Sequence, residues 1–242
     1  MDPAAEWLRL RERLGRRATV SDRYELEAQA RGCEVEDLSA EDRERLAREV
    51  LALQSPGMEL LPAAARPSSP VVVAPYDVAW PRLFAEWRER IAGAVPSAVR
   101  IDHVGSTSVP GLAAKPTVDI QVSVADVEHE RSYLPAFEGA GLLLRLREPG
   151  HRYLRPPAGR SRAVHIHVCD AGGAWEREHL LFRDYLRAHP EAAAAYGRLK
   201  RDLAYRWTDD RLAYTDAKTG FILDALEEAE RWAAATGWTV TS

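Results

Sequence analysis

Two cysteines in 242 residues, Cys33 and Cys169, far apart and in no Cys-x-x-Cys spacing, exclude a disulfide framework and a zinc knuckle. No apolar run approaches the roughly 20 residues that cross a bilayer, so no membrane partner is expected. The first residues, Met1-Asp2-Pro3-Ala4-Ala5-Glu6, lack the basic-then-apolar order of a secretory signal. A cytoplasmic protein is the expectation. Basic charge is not in excess either: the formal charge is -4, which argues against a nucleic-acid partner. No Gly-x-x-x-x-Gly-Lys-Ser/Thr loop is present, so kinase chemistry of the P-loop kind is not expected.

What is present is enough apolar material, 46% of the chain, for one large core or a core with a small helical module. Residues 1–60 read as that module, with helices at Ala4 to Arg17, Asp22 to Arg31 and Glu41 to Leu53. The third follows a capping-box-like Ser39-Ala40-Glu41-Asp42 and spaces Leu46, Val50 and Leu53 along one face. Residues 19–53 can be read as a helix-turn-helix. Residues 1–66, however, hold 11 Arg against 14 Asp plus Glu, a poor balance for gripping phosphates. A packing arm, or a homodimer contact through these helices, is the better expectation. Leu61 to Pro70 carries three prolines and no packing pattern, and reads as a linker over 61–70.

Residues 71–242 then form the expected second domain. A strand is expected at Val71 to Val73 and a helix at Pro81 to Ala92. A helix near His129 to Gly139 precedes an antiparallel set at Leu142 to Arg147, Arg152 to Arg155 and Arg162 to Cys169. Helices follow at Trp175 to Ala188, Glu191 to Arg206 and Ala217 to Ala235. The order predicts an α+β fold, a mixed β-sheet flanked by helices with a helical C-terminal segment.

The most informative stretch runs from Asp102 to Val122. A β-prone run ends at Gly105, which permits a sharp turn. Ser106, Thr107 and Ser108 then offer hydroxyls and amides at the start of a helical turn, where an anion is favoured. The same serine and threonine would also serve simply as helix caps. Lys115 adds charge, and Pro116 precedes a strand with Val118, Ile120, Val122 and Val124 on one face and Asp119, Gln121 and Ser123 on the other. A carboxylate therefore lies beside a candidate phosphate turn, unless Asp119 merely pairs with Lys115 or a nearby arginine.

The run His103-Val104-Gly105-Ser106-Thr107-Ser108-Val109-Pro110-Gly111-Leu112, continuing through Lys115-Pro116 to Asp119, resembles the signature of the GrpB family. The resemblance extends over roughly residues 71–230, through Tyr76 and Trp80, His165-Ile166-His167-Val168, Phe182 to Arg187, and Tyr214 with Lys218, Phe221 and Ile222. That family is similar to the nucleotidyltransferase superfamily, in which a Gly-Ser turn cradles nucleotide phosphates and three strand carboxylates hold divalent metals. GrpB domains also resemble the C-terminal part of some dephospho-coenzyme A kinases. The resemblance implies a nucleotidyltransferase-like fold, a substrate such as ATP or another nucleoside triphosphate, and a small-molecule acceptor. A carboxylate acceptor would make the protein an adenylate-forming ligase.

At the superfamily's second carboxylate position this chain has Gln121, and near the third it has His165 or His167. Asp119, His165 and His167 are the candidate catalytic and metal-ligating residues. His165 and His167 lie two apart on a strand and so share a face, on which His103 is also expected to converge. The resemblance implies Mg or Mn, and two imidazoles with one carboxylate extend the choice to Zn. Candidate phosphate contacts are Gly105, Ser106, Thr107, Lys115, Arg152 and Lys218, chosen from a wider basic set of Arg147, Arg160, Arg162, Arg183 and Lys200. With two carboxylates missing, an inactive nucleotide-binding or interaction domain and a metal-dependent hydrolase are the alternatives.

Overall fold

A computed structural model describes residues 2–61, 70–157 and 163–240. Its N-terminal part is three helices, α1 (Pro3–Leu14), α2 (Val20–Arg31) and α3 (Ala40–Gln54), followed by a two-residue strand β1 (Glu59–Leu60). The local chemistry is that of well-capped helices. Asp2 caps α1, Thr19 and Asp22 form a reciprocal capping box on α2, and Ser39 accepts the Asp42 amide on α3. Most of the linker, residues 62–69, lies outside the described residues. So do Arg160 and Arg162.

The rest alternates α4 (Ala79–Ala94), β2 (Ala98–Val104), β3 (Val118–Val124), α5 (Leu134–Gly139), β4 (Leu143–Glu148), β5 (His151–Arg155) and β6 (Val164–Asp170). It closes with α6 (Ala174–Ala188), α7 (Pro190–Arg206), α8 (Arg211–Asp216) and α9 (Thr219–Thr236). The strands form one six-stranded mixed sheet in the order β1-β4-β5-β6-β3-β2, antiparallel except at the central β3–β6 pair. This is the expected α+β architecture. The expected Val71–Val73 strand is absent; the chain there makes a single bridge between Ala74 and Ala114. β1 and α8 are additions that a two-residue strand and a six-residue helix leave too short for a periodic signal.

Period-two alternation gives the two central strands unlike faces. Val118, Ile120, Val122, Val164, Ile166 and Val168 pack with Trp80, Ile91, Tyr133 and Phe137 of α4, α5 and their approaches to form the main core. Asp119, Gln121 and Ser123 stand opposite His165, His167 and Cys169 on the other face, toward α6.

The N-terminal helices share a second core with the C-terminal ones. Trp7, Val20, Tyr24, Leu46 and Val50 pack with Ala204, Trp207, Ala213 and Tyr214. The Tyr24 hydroxyl lies within hydrogen-bond reach of both the Arg43 carbonyl, at 2.8 Å, and Asp210, at 3.0 Å, and the Val20 amide donates to Asp216. The apolar faces of these three helices therefore pack largely within this chain, as expected of a packing arm. Among the described residues no helix is long and apolar enough to cross a membrane.

Candidate metal and phosphate site

The parallel register of β3 and β6 sets Asp119 beside His165, and the next same-face residue on β6 is His167. One ligand atom from each of the three residues falls within a 4.8 Å group. His165 Nδ1 is 3.2 Å from Asp119 Oδ1, and His167 Nε2 is 3.6 Å from the same oxygen. Burial works to raise the Asp119 pKa, but the two imidazoles outweigh it and hold the carboxyl well below the usual range. All three side chains remain partly exposed, so a ligand can reach them.

A second line of residues, unforeseen from the sequence, supports His167. The β4–β5 hairpin brings Glu148 to His151 Nδ1 at 2.6 Å, and His151 Nε2 to His167 Nδ1 at 3.0 Å. Burial pushes His151 down to about 4, so its ring is neutral at pH 7. A carboxylate accepts only, so the His151 Nδ1–H donates to Glu148 and its Nε2 must accept from His167 Nδ1–H. With its Nδ1–H so engaged, His167 presents Nε2 to the Asp119 oxygen, and a proton or a metal cation held between them joins the two atoms. Trp175 covers this array, stacking on His151 at 4.4 Å and on His179 at 3.5 Å between ring centroids. The hairpin register pairs Tyr153 with His167.

Gln121 is fully buried on the same face, and neither its Nε2 nor its Oε1 has a hydrogen-bond partner among the described residues. His165 Nε2 is likewise buried without a partner. Such groups cost free energy unless something satisfies them. The donor set fits a single cation with nitrogen and oxygen ligands, not the pair of hard cations that three carboxylates would hold.

Gly105 adopts φ 67° and ψ -173°, and a Cβ there would lie 2.5 Å from Asp119 Oδ2. The glycine is thus required for both backbone and contact reasons. The following helix is only a three-residue 3-10 turn, Ser106–Ser108, too short for the dipole expected of it. Thr107 is buried and its hydroxyl lies 3.0 Å from His103 Nε2. His103 sits on the α4 face, stacked on Phe84 at 4.9 Å, so neither residue joins Asp119 through its side chain. Ser106 lies near the Tyr196 hydroxyl of α7.

Lysines supply the positive charge. The Lys115 and Lys218 ammonium groups lie 5.0 and 4.9 Å from the centre of the Tyr214 ring, and Lys200 lies 4.5 Å from that of Tyr196. Burial first, and then Lys115, push Lys218 down to about 7, while Asp119 opposes the shift. Arg152 is not part of this group. It pairs with Val168 in register and so belongs to the α4–α5 face, where it is buried between Glu128 and Glu130 and also donates to two backbone carbonyls. Arg147 joins Glu59 and Glu130, and Arg183 joins Asp184 and Asp102. A cavity of about 640 Å³ lies on another side of the turn, between Val109 to Ala113 and α7; Asp119, His165 and His167 do not line it.

Fold and site together define an α+β protein with a carboxylate–histidine cluster on its central parallel strands and with Lys115, Lys200 and Lys218 placed over tyrosine rings. The family profile described as GrpB protein matches residues 70–228. A UPF0157 protein of Streptomyces coelicolor is 49% identical over 148 residues, 61% of this chain and 78% of the relative. The crystal structure of a conserved GrpB protein from Enterococcus faecalis superimposes with a TM-score of 0.59 at 33% identity, covering 66% of this chain and 99% of that one. A protein of Mycolicibacterium paratuberculosis named dephospho-CoA kinase is 30% identical over 197 residues, 70% of this chain but 48% of its own length. The chain belongs to the GrpB family.

Proposed function

We propose that the protein transfers a nucleotidyl group from ATP or another nucleoside triphosphate to a small-molecule acceptor, using one divalent cation. The observation that carries this reading is the Asp119, His165 and His167 group together with Lys200 and Lys218, both of which feel the charge of the same aspartate. Asp119 and His167 would hold the ion; an imidazole with a carboxylate suits Mn or Zn better than Mg. Bound there, the ion would neutralise charge developing on phosphate oxygens.

The residues of the chain do the rest. Ser106, Lys115 and Lys218 bind the phosphate chain and orient its α-phosphorus for in-line attack. An acceptor oxygen or nitrogen forms a bond to that phosphorus, the bond to the β-phosphate oxygen breaks, and pyrophosphate leaves with the electron pair. The acceptor's proton passes to His165 Nε2, whose lack of a partner favours this role, while Asp119 orients the ring through Nδ1. The mycobacterial relatives named dephospho-CoA kinase support a nucleotide-related setting for this domain.

The test is incubation of purified protein with each triphosphate and with Mg, Mn and Zn in turn, across a panel of alcohol, amine and carboxylate acceptors. Pyrophosphate release lost in Asp119→Asn is the expected result. Triphosphate binding with no turnover under any metal would replace transfer with a nucleotide sensor. Turnover that needs no acceptor would replace it with hydrolysis.

A further inference from the structure

The cavity of about 640 Å³ beyond the Ser106–Ser108 turn has no part in the chemistry described above. The segment Val109 to Ala113 forms one side of it, and the end of α6, at Leu186 and Arg187, with one face of α7 forms the other. Along that face Ala193, Ala194 and Gly197 come first, and Arg198 and Arg201 follow at helical spacing. Val109, Leu112, Leu186 and Ala193 are buried, so the inner wall is apolar and the guanidinium groups stand toward one end. A space of this size with an apolar wall and a few polar groups is the usual form of a small-molecule site.

Gly197 lies in the middle of the 17-residue α7, where glycine weakens a helix relative to alanine. A Cβ there would meet Leu112 at 3.4 Å and the Arg201 guanidinium at 3.7 Å, which are ordinary contact distances. Packing within the chain therefore does not demand the glycine. The side chain it omits leaves the cavity open.

Charge decides what fits. Three arginines line the cavity and no acidic residue does. Arg187 is already engaged: its Nη2 and Nε donate to the Ser108 carbonyl at 2.8 and 3.1 Å, and Asp184 lies 3.4 Å from its Nη1. Arg198 and Arg201 have no hydrogen bond or ion pair among the described residues, and both are exposed and free to swing toward a ligand. Three positions apart on a helix, they can reach one oxyanion head together. A cation would be repelled, a neutral molecule would leave the arginines unused, and a bare inorganic anion would make no use of the apolar wall.

We propose that this cavity is a second ligand site, taking a small amphipathic organic anion whose apolar body lies against Val109, Leu112, Leu186 and Ala193 and whose single oxyanion head lies on Arg198 and Arg201. The inference goes beyond the proposed function, because Asp119, His165 and His167 do not line the cavity and no lysine does.

The experiment is calorimetry of the full chain with octanoate, octyl phosphate, octanol and octyltrimethylammonium, each below its micelle-forming concentration. An anion is expected to saturate at one per chain and to bind at least about tenfold more tightly than octanol, with no binding of the cation; the tighter of the two anions names the head group. Arg198→Gln combined with Arg201→Gln is expected to lose about tenfold or more in anion affinity and to leave octanol affinity unchanged. Ala194→Phe, which fills the cavity from an exposed helix position, is expected to abolish binding of anion and alcohol alike at an unchanged unfolding temperature. Asp119→Asn is expected to bind the anion as the parent does, so failure of nucleotidyl transfer would leave this site standing. No anion binding, octanol binding as tight as that of the anions, unchanged anion affinity in the arginine variant, or loss of binding in Asp119→Asn overturns the proposal.

Discussion

Gly105 and Asp119 are fitted to each other: the carboxylate occupies the space that any side chain at 105 would need, with Oδ2 2.5 Å from the position of a Cβ. The turn and the candidate metal ligand therefore form one unit. Gly105→Ala is expected to force the Asp119 side chain off its histidines and to strain a backbone held at φ 67°. Metal-dependent activity should fall at least a hundredfold, with a stability loss of about 1–3 kcal/mol by urea unfolding. Retained activity would show that Asp119 does not need this position.

Glu148 is expected to govern metal affinity without touching the metal. Through His151 it fixes which nitrogen of His167 is bare. Glu148→Gln can donate to His151 Nδ1 and so reverse the chain of donors, which should weaken Mn or Zn binding by about 10–100-fold in calorimetry. Glu148→Asp, which remains an acceptor, is expected to lose less.

Arg152 is expected to be a stability residue. Its guanidinium is buried between two glutamates on the face away from Asp119. Arg152→Met strands Glu130 with Arg147 alone and should cost about 3–5 kcal/mol in chemical unfolding. Tripolyphosphate affinity measured below the transition should not change. A selective loss of anion affinity at unchanged stability would return Arg152 to the site.

Acid should destabilise the protein through His103. Burial pushes this imidazole from its ordinary 6.5 down to about 4, with Arg187 and Arg183 adding to the shift and Asp119 opposing it. Below 6.5 the unfolded chain takes up a proton that the folded one refuses, so stability is full above that pH and is lost as pH falls toward about 4. The slope in that window is at most about 1.4 kcal/mol per pH unit. His103→Phe, placed against Phe84, should flatten this part of the profile; an unchanged slope would assign the acid sensitivity elsewhere.

Much was legible before any coordinate. The alternation at Val118 to Val124 separates the core face from the face bearing Asp119, and His165 and His167 sit two apart on a strand; both facts are properties of local spacing. The three N-terminal helices could be read from capping residues and helical spacing in the same way. Arg152 shows where that reasoning stops. Its positive charge suits a phosphate, but which face it takes depends on the hairpin register, and that register put His151 and Tyr153 on the site's side instead.

Local sequence determined most of the elements, the glycine turn and the strand faces on which the lone aspartate and the two histidines stand, because backbone preference and alternation act over a few residues. Only tertiary structure decided that Glu148 sets the tautomer of His167, that Lys200 is buried beside the same site, and that the N-terminal helices close over Trp207 and Tyr214. Those relationships join residues up to two hundred positions apart, as Tyr24 to Asp210 shows across 186. Burial and register, which no short stretch specifies, fix both the distances and the charge states on which the chemistry depends.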